Sequence, residues 1–141
     1  MKILIVEDDY LAVEGLKEDV RRSLPDSEFR EIATESEFCA ELEQIRSNPP
    51  DAIIMDMMIR WADASPESPE APPMVADSGP WRAGRRCLDR LREADIHSPV
   101  VIYSVLDDED LKGELPENVL LIPKSANAEE IVKWLRDQIR K

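Results

Sequence analysis

A chain of 141 residues is close to the usual size of one domain and is long enough to bury a sizeable core. Its 18 Lys and Arg against 31 Asp and Glu leave a net charge of −13, which repels a nucleic-acid phosphate backbone and an anionic membrane surface alike. Cys39 and Cys87 have no CxxC or Cys/His companions, so neither a disulfide framework nor a zinc site is expected.

The N-terminus, MKILIVEDD, carries no signal-peptide pattern, and no apolar run approaches membrane-spanning length; a reducing cytoplasm is the expected location. Ile3-Leu4-Ile5-Val6 is too short for a helix and is rich in β-branched residues, as a strand covered on both faces would be. After Glu7-Asp8-Asp9 the spacing predicts a helix from about Tyr10 to Leu24, with Leu11, Val13, Leu16, Val20 and Leu24 toward one side. Asp9 is placed to cap it and Pro25 follows its end. Phe29 to Ala33 reads as a weaker, edge-proximal strand. Thr34 or Ser36 then caps a helix through Phe38, Leu42 and Ile45, which Asn48-Pro49-Pro50 stops.

Ala52 to Met55 is a third buried strand, ending at Asp56. A helix around Arg82 to Ala94 carries Cys87, Leu88 and Leu91, and both cysteines are expected to act as small apolar helix residues. Pro99 to Tyr103 is a fourth strand, with Tyr103 packed in the sheet and His97 in the exposed loop before it. A short helix is expected from near Asp107 to Pro116, and Val119 to Ile122 is a fifth strand. Asn127 is read as the cap of a last helix with Ile131, Trp134, Leu135 and Ile139 on its apolar stripe. Strands alternating with helices imply βα units around a parallel sheet, and there is no internal repeat.

Residues 60 to 80 break the pattern. They contain SPESPEAPP, with few β-branched residues and prolines that oppose a ladder or a helix interior. Trp61 and Trp81 bracket the segment and suggest hydrophobic anchoring at both ends. A tolerated surface insertion and a lid or partner-docking loop are both compatible with this composition.

In a parallel sheet with right-handed crossovers every strand ends at the same edge. Glu7 and Asp8 follow the first strand, Asp56 ends the third, Ser104 ends the fourth and Lys124 follows the fifth. Connectivity alone therefore brings these polar groups to one mouth. Any one of them alone would be read as a helix cap, a turn residue or a solvated lysine; their joint placement is what points to a site. Three carboxylates held close together disfavour shared ionisation, and a hard divalent cation with oxygen ligands, Mg²⁺ rather than zinc, resolves the conflict.

These residues carry a resemblance. ILIVEDD at the first strand, DAIIMD at the third, VVIYS at the fourth and LIPKS at the fifth are weak singly but specific in this order, and the whole chain, 1–141, resembles a single two-component response-regulator receiver (CheY-like) domain. The resemblance implies a flavodoxin-like (βα)5 doubly wound parallel sheet of order 2-1-3-4-5, here with a long insertion between the third strand and the third helix. It implies that Asp56 is the phosphoacceptor, that Asp8 binds Mg²⁺ directly and Glu7 through a water, and that Asp56 and the backbone carbonyl of Met58 complete the metal ligands. Ser104 would hydrogen-bond the phosphoryl group and Lys124 would pair with it. The implied donor is a phosphohistidine of a sensor histidine kinase or phosphotransfer protein. The implied readout surface is the fourth helix, fifth strand and fifth helix, through which a homodimer or a downstream protein would engage.

Four features depart from the family pattern. The insertion replaces the usual turn after Asp56, up to Gly84, which matches the family's glycine at the start of the third helix. Val105 stands where a small residue is usual and is expected to crowd the phosphoryl pocket, Leu121 occupies the aromatic switch position, and Ser125 replaces the common proline after Lys124. A degenerate receiver serving as a phosphorylation-independent interaction module is the alternative reading. A haloacid-dehalogenase-like enzyme needs a second Asp where Met58 stands, and a flavodoxin needs a phosphate cradle where Glu7-Asp8-Asp9 lies. The chain ends at Lys141 after the last expected helix, as a stand-alone receiver or a piece of a longer regulator would.

Overall fold

A computed structural model describes residues 1–105, 116–124 and 128–140. Five strands form one parallel sheet: β1 (Lys2–Val6), β2 (Glu28–Ile32), β3 (Ala52–Met55), β4 (Val100–Ser104) and β5 (Val119–Pro123), in the order β2-β1-β3-β4-β5. This is the expected order. The apolar runs become the three central strands because only there does each face meet a helical layer. In β1, Ile3 and Ile5 face a layer made by α1 (Tyr10–Ser23) and α5 (Glu129–Ile139), packing with Val13, Leu16, Val20, Ile131 and Leu135. Leu4 and Val6 face the other layer, α2 (Glu35–Ser47) and α4 (Ala83–Glu93), with Phe38, Ile45, Cys87, Leu88 and Leu91. The edge strands β2 and β5 are partly exposed, as their mixed composition predicts.

The helix starts follow the capping chemistry. The Asp9 carboxylate accepts from the amides of Leu11 and Ala12, and the Thr34 hydroxyl accepts from Glu37 N–H while the Glu37 carboxylate reaches back to Ala33 N–H. Two stripe residues are misassigned by periodicity: Leu11 is 79% exposed and Ile139 is 55% exposed. Both lie at helix ends, Leu11 in the first turn of α1 and Ile139 as the last residue of α5, and a helical stripe can be buried only over the length that faces a neighbouring element. Cys87 is buried as expected, but Cys39 is only half-buried. The expected helix from Asp107, the Asn127 cap and Ser125 lie outside the described residues, as does the side chain of Trp81.

The insertion is more ordered than its prolines suggest. A short helix, α3 (Pro73–Ser78), starts on Pro73, where the missing amide hydrogen costs nothing, and its Val75 is buried. A single 3-10 turn, Pro80–Arg82, leads into α4, which is the third of the expected helices. Trp61 Nε1–H donates to the Pro69 carbonyl at 2.9 Å and Ser68 Oγ–H to the Asp63 carbonyl at 2.6 Å, so the Trp61 end is fastened by hydrogen bonds.

Candidate functional site

The end of β1 is held between its neighbours: Glu7 N–H donates to the Ile32 carbonyl of β2 at 3.0 Å and Asp56 N–H to the Val6 carbonyl at 2.9 Å. Those two bonds place the Glu7 and Asp56 side chains together at the C-terminal edge of the sheet. On the far side, Lys124 N–H donates to the Ser104 carbonyl at 2.9 Å, extending the β4–β5 ladder past the last pair. From there Lys124 must cross β4, two strand spacings or roughly 10 Å from β3, and its long stem lets the ammonium do so. Lys124 Nζ donates to Asp56 Oδ2 at 2.9 Å and lies 3.5 Å from Glu7 Oε2. Ser104, the last residue of β4, is fully buried.

Asp56 is only 7% exposed, and its second oxygen, Oδ1, accepts from Met58 N–H at 3.2 Å. Burial, then a hydrogen bond with Asp56 and its negative charge, push the Glu7 carboxyl up to about 8, against the opposing pull of Lys124 and of the Asp9 amide. Burial works to lower the Lys124 ammonium, but its hydrogen bond and charge interaction with Asp56, helped by Glu7, override this and raise it. One ammonium thus serves two carboxyl groups, and the pair is short of positive charge.

This shortage and the all-oxygen donor set fit a hard divalent cation. Glu7, Asp8, Asp56 and the Met58 carbonyl are the groups that would hold it. Among the described residues, however, no three acidic, His or Cys side chains are gathered as a ready cage. The Asp8 Oδ2 accepts instead from Arg60 N–H at 3.2 Å, at the first residue of the insertion. The mouth is a shallow depression of about 430 Å³ whose rim includes Asp8, Met58, Val105 and both ends of the insertion, Arg60 and Pro80. Val105, expected to crowd the pocket, stands on the rim and is 67% exposed. Leu121 is partly buried against the core beneath the α2–α4 layer. His97 is exposed, hydrogen-bonded to Asp95, and far from the mouth in sequence and sheet position.

No protein-family model and no curated protein matches the sequence. Solved structures do. The receiver domain of the Francisella response regulator 1452 superposes with a TM-score of 0.70 at 19% identity, over 99% of this chain and 96% of that one. This chain has the receiver-domain fold. The response regulatory domain of protein mrkE from Klebsiella pneumoniae is similar over 99% of this chain and 96% of its own, with a TM-score of 0.67 at 18% identity. The receiver domain of the hybrid histidine kinase CckA matches over 98% of each chain, with a TM-score of 0.59 at 18% identity. The receiver fold accounts for the common edge at which Glu7, Asp56, Ser104 and Lys124 meet.

One group was invisible to sequence reasoning. Glu35, in the first turn of α2, is fully buried and is gripped by Arg86 Nε and Nη2 at 2.8 and 2.6 Å and by Arg90 Nη1 at 2.5 Å. Burial alone would raise its carboxyl, but the hydrogen bonds and charges of the two guanidiniums prevail and lower it. An acidic residue in a first helical turn is ordinarily explained by the helix dipole, and nothing in the spacing pairs it with arginines some 51 residues on. No described helix is long and apolar enough to cross a membrane.

Proposed function

We propose that this chain is a phosphoacceptor switch of two-component signalling, with Asp56 as the acceptor. The observation that carries the reading is the Asp56 carboxylate beside the Lys124 ammonium at 2.9 Å, with Glu7 next to both, at an open edge of the receiver sheet. An Asp56 oxygen attacks the phosphorus of a phosphohistidine in line; the P–N bond breaks and its electron pair leaves with the imidazole. Lys124 is placed to meet charge on the equatorial phosphoryl oxygens, the main task in a loose phosphoryl-transfer transition state. Ser104, at the end of β4, would hydrogen-bond the product. A bound Mg²⁺, held by Glu7, Asp8, Asp56 and the Met58 carbonyl, would supply further neutralisation of those oxygens.

The expected donor is a sensor histidine kinase or phosphotransfer protein in the cytoplasm, and the acyl phosphate adds charge and acceptor oxygens that alter contacts with a downstream protein. The net charge of −13 disfavours direct nucleic-acid or membrane binding. Self-catalysed phosphotransfer and dephosphorylation are the only chemistry proposed. The test is labelling with a small acyl phosphate and Mg²⁺: a phosphoryl adduct on Asp56 is expected, absent in Asp56→Asn and when the metal is chelated.

A second reading, a phosphorylation-independent interaction module, is favoured by one observation: Asp8 is engaged by Arg60 rather than gathered with Glu7 and Asp56. A folded chain that takes no label at millimolar Mg²⁺ would support it.

A further inference from the structure

Both ends of the insertion are fastened to the start of α2. At the near end, Glu35 N–H donates to the Arg60 carbonyl at 3.0 Å and Ser36 N–H to the Trp61 carbonyl at 2.8 Å. These amides belong to the first helical turn, which has no intrahelical acceptors, so the insertion satisfies donors that would otherwise be left over. At the far end, Arg86 uses Nη1 to hold Ser78 Oγ at 2.6 Å and the Gly79 carbonyl at 2.9 Å while its other two nitrogens grip Glu35. The backbone of Glu35 thus fixes one foot and its carboxylate, through Arg86, the other. Gly79 makes the far turn with φ 81° and ψ 170°, a conformation that glycine alone adopts readily.

The near foot also reaches the mouth. Arg60 presents its carbonyl to α2 and its N–H to Asp8 Oδ2, so a single residue joins the α2 start to a candidate cation ligand.

We propose that the insertion is a strap that holds Asp8 out of the acidic site, and that binding of a divalent cation and seating of the strap are mutually antagonistic. This rests on the phosphoacceptor reading for the cation, but the strap contacts are independent of it. To join Glu7 and Asp56 around an ion, Asp8 must give up the Arg60 amide, and that amide then loses its acceptor. Linkage makes the effect reciprocal: whatever factor the strap takes from cation affinity, the cation takes from strap seating.

Arg60→Pro deletes the single N–H in question and leaves Asp8 intact; Ser78→Ala loosens the far foot while leaving the Glu35 carboxylate paired. Mg²⁺ affinity is measured by titration calorimetry, and amide exchange at Arg60, Glu35 and Ser36 by mass spectrometry, on the full chain, with urea unfolding of each variant as the check on folding. Mg²⁺ is expected to speed exchange at Arg60 in the unaltered protein, and Arg60→Pro to bind the ion about fivefold or more tightly, the low end of ordinary coupling. Ser78→Ala should shift both readouts in the same direction, less strongly, and it decides the matter if Arg60→Pro is unfolded. Equal Mg²⁺ affinity in all three proteins with unchanged exchange overturns the strap alone. Absence of Mg²⁺ binding in the unaltered chain and both variants overturns the strap and the phosphoacceptor reading together.

Discussion

Lys124 Nζ and Asp56 Oδ2 lie 2.9 Å apart although β4 separates the strands that bear them. The contact exists because β3, β4 and β5 end at a common edge and only a long cationic side chain spans the intervening strand. It is also largely shielded, with Asp56 at 7% and Lys124 at 24% side-chain exposure, so it is stronger than a surface ion pair.

On the proposed phosphoacceptor reading, Lys124→Met should cost phosphoryl labelling more than stability. Losing one charge-stabilising donor lowers transfer about 100-fold, while the lost charged hydrogen bond destabilises the fold by about 2 kcal/mol. Rates of labelling by a small acyl phosphate, alongside urea unfolding, separate the two effects; an unchanged rate would remove Lys124 from the mechanism.

Gly84→Ala should damage the site from behind. A Cβ there would meet Met57 Cα at 2.7 Å and the Asp56 carbonyl at 2.8 Å, both backbone atoms that cannot swing aside. The start of α4 must back away, at a cost of about 1–3 kcal/mol, and the Gly84 N–H to Met57 carbonyl bond of 2.8 Å is lost or stretched. Gly15→Ala is the control: nothing lies within 4 Å of the added methyl, in a helix interior, and stability should rise by about 0.5–1 kcal/mol. Chemical denaturation of the two variants should give shifts of opposite sign.

The Glu35 cluster predicts a loss of stability in acid. Its carboxyl is lowered in the folded chain from the ordinary value of 4.5, so the unfolded chain binds the proton first and stability from this group is full above that value and lost as pH falls below it. Arg86→Met leaves a buried carboxylate half-paired and should destabilise by about 3–5 kcal/mol. Urea midpoints between pH 3 and 6 should slope downward with acid in the unaltered chain; a flat profile would show that the cluster does not carry this load.

Phe38→Ala tests the α2–α4 layer. Phe38 is fully buried against β1 and β3, and its removal should cost about 3–5 kcal/mol. A loss below about 1 kcal/mol in denaturant would mean that the layer closes over the gap.

The five strands were legible because buried parallel strands leave continuous β-branched runs, and strand order followed from the family resemblance those runs carry. The meeting of Glu7, Asp56 and Lys124 was legible for the same reason: strand ends share an edge whatever the loops do. Asp8 was not. Its carboxylate is claimed by a backbone amide 52 residues away, in a segment whose composition announces irregularity but not its path. Glu35 was hidden differently, since a local explanation for its charge masked a long-range one. Val105 and Leu11 show the limit of pattern reading: a residue's place along the chain does not say which way the rim of a site or the end of a helix will face.

Because Arg60 and Pro80 flank one opening while Glu35 secures the backbone near each, the stretch from Ala64 to Ala71 can vary in length with little effect on the sheet. That makes it a natural grafting point: a reporter peptide spliced there would hang between two anchored feet and leave Glu35, Arg86 and the acidic opening unaltered.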